Sequence, residues 1–280
     1  MGGTGREKRL NSNDAKANRT RMEAREQSRP VARNAIGMSK NLIVIPAYNE
    51  EASLASTIES LKVLPPEYEV AVINDGSRDR TGQIADRLGR TSDRPVHVLQ
   101  LPFNMGIGAA MQTGFRFAAQ SGEYEWVIQF DSDGQHDPAF VEPLVNRARK
   151  EALDLCVGSR FLDPTLDPGF RSTFFRRVGI RFFAVLISFL SGVPVTDPTS
   201  GFRCMGPRAW KRFAEHYPED YPEPESLFWC ARSRLRVSET AVRMRAREHG
   251  SSSISALRTV YYMVKVSIAI LVDRLRGRED

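Results

Sequence analysis

The chain has 280 residues, enough for one large domain or two small ones around a substantial core. A hydrophobic fraction of 41% and a charged fraction of 26% are those of an ordinary soluble protein. The net charge of +6 resides in residues 1–40, with ten Lys/Arg against four Asp/Glu; the other 240 residues are neutral, so the basic character belongs to a tail.

Residues 1–38 are rich in Arg, Asn and Ser, with almost no large apolar residue before Val31. Such a segment buries too little surface to offset its chain entropy and is predicted to be disordered. It is either a solvated tail or a basic arm for nucleic acid or anionic lipid. The first residues contain no apolar run, so no signal peptide is expected. Cys156, Cys204 and Cys230 are widely spaced without a Cys-x-x-Cys pair, which argues against a disulfide framework or a zinc site. Three buried thiols suit a reducing cytoplasm.

From Asn41 the texture changes to alternating elements. Leu42 to Ile45 reads as a strand, Glu51 to Val63 as a helix and Glu69 to Ile73 as a second strand, stopped by the turn Asn74-Asp75-Gly76-Ser77. Thr81 to Leu88 is a helix and Val96 to Leu101 a strand; Met105 to Ala119 is a helix and Trp126 to Phe130 a strand. Pro138 to Lys150 is helical, and Leu153 to Gly158 is a further strand. This alternation predicts an α/β fold, a mostly parallel sheet sandwiched by helices, with ligands beyond the carboxyl ends of the strands. The polar clusters after Ile45, Ile73 and Phe130 therefore converge on one crevice.

The second half is less regular. Phe174 to Leu190 joins Arg176, Arg177 and Arg181 to an apolar run, and Ile254 to Leu275 is an amphipathic stretch interrupted by Arg258, Lys265 and Asp273. Neither has the ~18 consecutive apolar residues that a bilayer span needs. Two readings stay open for both: helices on a membrane surface, or helices of the core or a subunit interface.

Asp131-Ser132-Asp133 follows a strand, and carboxylates one residue apart on an extended segment point the same way. Such a pair suits Mg2+ or Mn2+ bridging to a diphosphate, because these ions take one or two carboxylates plus substrate phosphates. Asp75 suits a hydrogen bond to a ring nitrogen or a ribose hydroxyl, and is equally a turn residue. Pro46-Ala47-Tyr48-Asn49-Glu50 offers an aromatic face and a carboxylate, or else a helix start capped by Asn49 or Ser53. Asn104-Met105-Gly106-Ile107-Gly108 looks superficially like a dinucleotide fingerprint, but Met111 stands where the third glycine belongs. His136 and His249 are candidate ligands or proton carriers, with no second His at ligand spacing. Asp197 to Arg203 reads as a structured loop.

Taken in order, these motifs resemble glycosyltransferase family 2, most closely the branch that charges polyprenyl phosphates. The resemblance spans residues 41 to about 255 and rests on Pro46–Glu50, Asn74–Thr81, Asn104–Gly114, Asp131–Pro138, Gly158–Phe161 and Asp197–Arg203. It implies a GT-A domain over 39–255, followed by an amphipathic helix over 256–280 that faces a membrane or partner. It also implies that Pro46, Ala47, Tyr48, Glu50 and Asp75 hold the nucleoside. Asp131, Ser132 and Asp133 would flank metal and diphosphate, with Asp131, Asp133 and Gln135 as metal ligands. Arg247 would meet the donor's diphosphate; Arg160, with Arg176 and Arg177, would meet an acceptor phosphate. The mannose-synthase branch carries a Lys six residues after that last Arg, where this chain has Ser253, so the donor need not be GDP-mannose.

The expectation is an inverting transfer of a hexose or N-acetylhexosamine from a UDP- or GDP-sugar to a polyprenyl phosphate. The enzyme would sit peripherally at the inner face of the cell membrane, docked on lipid or on a small membrane protein, with homo-oligomerisation open. A second expectation is transfer to a hydroxyl of a lipid-linked glycan in cell-surface polysaccharide synthesis, with Glu225 or Glu223 of Tyr221–Glu225 as base; the bland alternative is a Pro-stiffened surface loop. A nucleotidyltransferase would need a Gly-rich basic loop after the first strand, which Pro46–Glu50 is not.

Overall fold

The computed structural model describes residues 39–163, 165–166, 174–220, 222–245 and 256–275. The tail expected over 1–38 lies outside them, as do Arg247, His249 and Ser253.

The described residues from Ser39 onward form one compact unit. Its frame is a seven-stranded sheet of order β3-β2-β1-β4-β6-β5-β7. The strands are β1 (Lys40–Ala47), β2 (Tyr68–Asn74), β3 (Val96–Gln100), β4 (Tyr124–Gln129), β5 (Leu155–Ser159), β6 (Arg203–Met205) and β7 (Val237–Ala241). All pairings are parallel except those of β6, which runs antiparallel between β4 and β5. The helices among the described residues are α1 (Leu54–Ser60), α2 (Thr81–Thr91), α3 (Ile107–Ser121), α4 (Val141–Lys150), α5 (Phe174–Ser191), α6 (Pro207–Glu215), α7 (Pro222–Arg232) and α8 (Ala256–Leu275).

The central strands are apolar without alternation because both of their faces are covered. In β1, Leu42 and Val44 point into one core with Phe115 of α3, Phe183 of α5, Phe213 of α6, Leu227 of α7 and Val266 of α8. Ile43 and Ile45 point the other way, toward Leu54 of α1, Ala85 of α2 and Leu144 of α4. The period-two projection of a strand thus sorts one sequence run into two cores.

Three expectations change here. The helix predicted over Glu51–Val63 is α1 followed by a 3-10 turn at Leu61–Val63, because Leu64, ahead of Pro65, is extended. Ser53 occupies the N-cap position of α1 without a capping bond, and its hydroxyl donates to Glu50 instead. Of the segment expected as a surface loop, Pro222–Glu225 form the first turn of α7 instead, with Pro222 and Pro224 buried, and Tyr221 lies outside the described residues. Proline is compatible with a first helical turn, where N–H groups have no intrahelical acceptor. Helix α8 begins at Ala256, and its Val266 and Ile270 are in the core.

Both amphipathic segments serve two surfaces at once. The α5 face bearing Ile180, Phe183 and Ile187 is buried, whereas Val185 and Phe189 are exposed; on α8, Tyr261, Val264, Ile268 and Leu275 are exposed. No helix among the described residues is long and apolar enough to cross a membrane. All three cysteines are free and buried.

Candidate active site

Beyond the carboxyl ends of β1, β2 and β4 lies a cavity of about 430 Å³. Pro46, Ala47, Tyr48 and Glu50 line it from β1, Asp75 from the end of β2, Asp131, Ser132 and Asp133 from the end of β4, and Glu223 from α7. The three motifs predicted to converge do converge, because parallel strands deliver their following loops to the same edge.

The loop after β1 is tied to the loop after β2. Asn49 has a positive φ of 55°, and its Oδ1 accepts from the Arg78 N–H at 2.8 Å. The Glu50 N–H donates to Thr81 Oγ1 at 2.8 Å. Asp75, buried, accepts three hydrogen bonds: from Asn104 Nδ2 at 3.0 Å, the Met105 N–H at 2.7 Å and the Gly106 N–H at 2.9 Å. Its carboxylate thereby holds the Asn104–Gly106 segment, itself part of the cavity wall, besides facing the cavity where a nucleoside was expected. The adjoining glycines have a packing role: a Cβ on Gly108 would overlap the Pro218 and Glu219 backbone, and the Gly108 N–H donates to Glu219 O at 3.2 Å.

Asp131 leads into a turn formed at Ser132 and Asp133, where an extended segment was expected, yet both carboxylates reach the cavity. The turn closes through Asp133 Oδ1, which accepts from the Gln135 N–H at 3.0 Å. Gln135 is half-buried beside it. Ser132 O accepts from Thr57 Oγ1 at 3.0 Å, which anchors the turn to α1. His136 is buried, with Nδ1 accepting the Asp131 N–H at 2.9 Å and Nε2 lying 3.3 Å from Asp131 Oδ2. Burial pushes its pKa down to about 4, against the pull of Asp133, so the ring is neutral at pH 7. Asp137 caps the following 3-10 turn and binds Arg243 at 2.7 Å and Arg245 at 2.9 Å.

Among the described residues no group of three or more His, Cys, Asp or Glu is placed to enclose a metal ion. Asp131 and Asp133 line the cavity and Gln135 does not; two carboxylates so placed suit a different kind of site, for a Mg2+ or Mn2+ that retains waters and takes its remaining ligands from phosphates.

Other expected residues lie elsewhere. Arg160 is buried, with Nε and Nη2 on the two Asp197 oxygens at 2.6 and 2.7 Å and Nη2 on Thr199 Oγ1 at 2.9 Å. Glu239 accepts the Asp197 N–H at 2.9 Å and fixes that loop from β7. Arg160 is thus engaged within the protein, where an acceptor phosphate was expected. Arg177 is exposed on α5 and does not line the cavity; Arg176 is also on α5, but its side chain lies outside the described residues, as does Arg247 altogether.

Glu225, the first candidate for a base, faces a separate cavity of about 600 Å³ shared with Arg116, Trp229, Ile270 and Asp273. Glu223 takes the place beside Asp131, with Gln129 Nε2 donating to its Oε1 at 3.5 Å. On a helix, two residues in succession turn by about 200°, so carboxylates that would share a face on an extended loop diverge. Burial raises the Glu223 pKa, and Asp131 adds to the rise. Sequence reasoning missed the residue that seats Glu223. Arg203, fully buried, donates to the Glu223 and Pro198 carbonyls at 2.8 and 3.0 Å and to Ser226 Oγ at 2.9 Å. Its signal was the single base closing Asp197–Arg203.

The family model for glycosyl transferase family 2 matches residues 42–205. Polyprenol monophosphomannose synthase of Mycolicibacterium smegmatis is 30% identical over 247 residues, 85% of this chain and 91% of that protein. Undecaprenyl-phosphate mannosyltransferase of Micrococcus luteus is 30% identical over 220 residues, 76% of this chain and 87% of that one. Among solved structures, glucosyl-3-phosphoglycerate synthase of Mycobacterium tuberculosis, in complex with Mn2+, UDP and glucosyl-3-phosphoglycerate, superposes with a TM-score of 0.62 at 21% identity, covering 87% of this chain and 82% of that one; this likeness concerns the fold. By sequence motif, sheet order and family match alike, the chain belongs to glycosyl transferase family 2, and its relatives include polyprenyl-phosphate sugar synthases.

Proposed function

We propose that the chain transfers a hexose or N-acetylhexosamine from a nucleoside diphosphate sugar to a polyprenyl phosphate, with inversion at the anomeric carbon. The observation that carries this reading is the single cavity in which Asp131 and Asp133 meet the Pro46–Glu50 and Asp75 walls. Tyr48 and Asp75 border the space for the nucleoside, and Asp131, Asp133 and Gln135 would hold Mg2+ or Mn2+ beside the diphosphate. A bound divalent ion supplies positive charge against the charge that develops on the leaving diphosphate. The acceptor's phosphate oxygen forms the new bond to the anomeric carbon, while the bond from that carbon to the diphosphate breaks and its electron pair leaves with the nucleotide. An ionised phosphate brings its own negative oxygen, so the chain need not supply a strong base. The relatives' names support the lipid phosphate acceptor.

The exposed stripes of α5 and α8, flanked by exposed Arg177 and Arg181, suit docking at the inner membrane face, on lipid, on a small membrane protein or against a second copy. A second reading, transfer to a hydroxyl of a lipid-linked glycan, draws support from Glu223. This carboxylate, its pKa raised by burial, lines the cavity and would take the hydroxyl proton.

Thermal shift with Mn2+ and UDP- or GDP-sugars tests the site. A ligand at ~100 times its dissociation constant adds about 2.7 kcal/mol of stability. A metal-dependent rise in Tm with one nucleotide, lost in Asp133→Ala, is expected; no shift with either nucleotide would defeat the reading.

A further inference from the structure

We propose that His136 is a positioning residue for the metal-binding turn, its ring setting the direction in which Asp131 leaves β4. The inference rests on the metal reading above and concerns a residue that need not touch the ion.

Three observations carry it. The first is the hydrogen bond from the Asp131 N–H to His136 Nδ1, at 2.9 Å. Because Nδ1 is the acceptor, the ring proton lies on Nε2, which is the nitrogen 3.3 Å from Asp131 Oδ2. One imidazole therefore meets both the backbone and the carboxylate of the same residue with complementary polarity.

The second observation is that the ring cannot rotate freely. It stacks on Phe202 with centroids 4.7 Å apart and planes inclined by 16°, and it meets the Phe130 ring edge-on at 5.2 Å. Its backbone pairs with Met244, and the Arg245 N–H donates to Gln135 O at 2.7 Å. The strand end and the Phe202 loop bear on the His136 ring, and the segment after β7 holds the backbone that carries it.

The third is the tightness of the opposite side. A Cβ on Gly201 would lie 3.1 and 3.2 Å from the two Asp131 carboxylate oxygens. Asp131 thus sits between the His136 ring and Gly201, where any side chain would crowd its carboxylate, which is 38% exposed. Groups that orient metal ligands in this way commonly tune metal affinity by 10–100-fold.

The test separates the nitrogen from the aromatic ring. His136→Phe keeps a ring to stack on Phe202 but loses the acceptor, whereas His136→Asn keeps an acceptor near the Nδ1 position and loses the ring. Full-length wild type and both variants are titrated calorimetrically with Mn2+, in the presence of UDP and separately of GDP, with fold checked by circular dichroism and Tm. The expected result is Mn2+ binding weakened about tenfold or more by His136→Phe and largely retained by His136→Asn. Wild-type affinity in folded His136→Phe, or a loss in folded His136→Asn as large as in His136→Phe, overturns the assignment. If His136→Phe does not fold, His136→Asn compared with wild type decides: a loss of about tenfold or more overturns it. Failure of wild type to bind Mn2+ with either nucleotide removes the metal reading itself and the positioning role with it.

Discussion

Glu223 and Glu225 stand two residues apart on the first turn of α7 and open onto different cavities, Glu223 onto the one with Asp131 and Asp133, Glu225 onto the one walled by α8. This divergence assigns the two acids different consequences, and it makes them each other's control.

With a polyprenyl phosphate acceptor, Glu223→Gln is expected to lower turnover by less than about tenfold, because no acceptor proton must be removed. A hydroxyl acceptor would bring a loss of about 10²–10⁴-fold, the usual contribution of a general base. Glu225→Gln is expected to leave turnover unchanged with either acceptor. Steady-state kinetics of both variants, with the two acceptor types side by side, checks the assignment.

Burial pushes the Glu225 carboxyl up to about 7, with Lys265 opposing and Asp220 and Asp273 adding to the rise. Between its ordinary value of 4.5 and about 7, the folded chain then binds more proton than the unfolded chain at this position. Stability therefore falls as pH rises through that window. Glu225→Gln, which carries no charge to bury, is expected to flatten this slope and to raise Tm at pH 8. Melting curves from pH 5 to pH 8 measure it; an unchanged slope would count against the burial of this carboxyl.

The Arg160–Asp197 pair is buried and joined through both carboxylate oxygens. Removing one partner leaves the other charged and unpaired, which typically costs about 3–5 kcal/mol. Arg160→Ala is expected to lose that much in urea unfolding. If it instead unfolds like wild type and loses only acceptor affinity, the pair is not the structural clamp its geometry implies.

On α5 and α8, Phe189 and Leu275 are 82% and 84% exposed. The double variant Phe189→Glu, Leu275→Glu is expected to keep its Tm and to float poorly with anionic liposomes that carry the wild type upward. Equal flotation of the two proteins would exclude these stripes from the docking surface.

The strand-helix alternation from Asn41 to Gly158 was legible because each strand is a short apolar run closed by turn residues, and parallel order brings the loops after Ala47, Asn74 and Gln129 together. That order explains why the loops bearing Pro46, Tyr48, Glu50, Asp75, Asp131 and Asp133 meet at one cavity, while the roles expected of these residues came from the resemblance to glycosyltransferase family 2. What sequence could not specify was direction. It took α7 to send Glu223 into the site and Glu225 away from it, and β6 to insert antiparallel between β4 and β5, carrying Phe202 to His136 and Arg203 to the Glu223 backbone. The engagement of Arg160 by Asp197 and the three donors on Asp75 were equally hidden, because the partners are separated by 37, 29, 30 and 31 residues. Local periodicity reports which face of an element is apolar; which polar groups meet across that distance depends on how the packed elements orient one another.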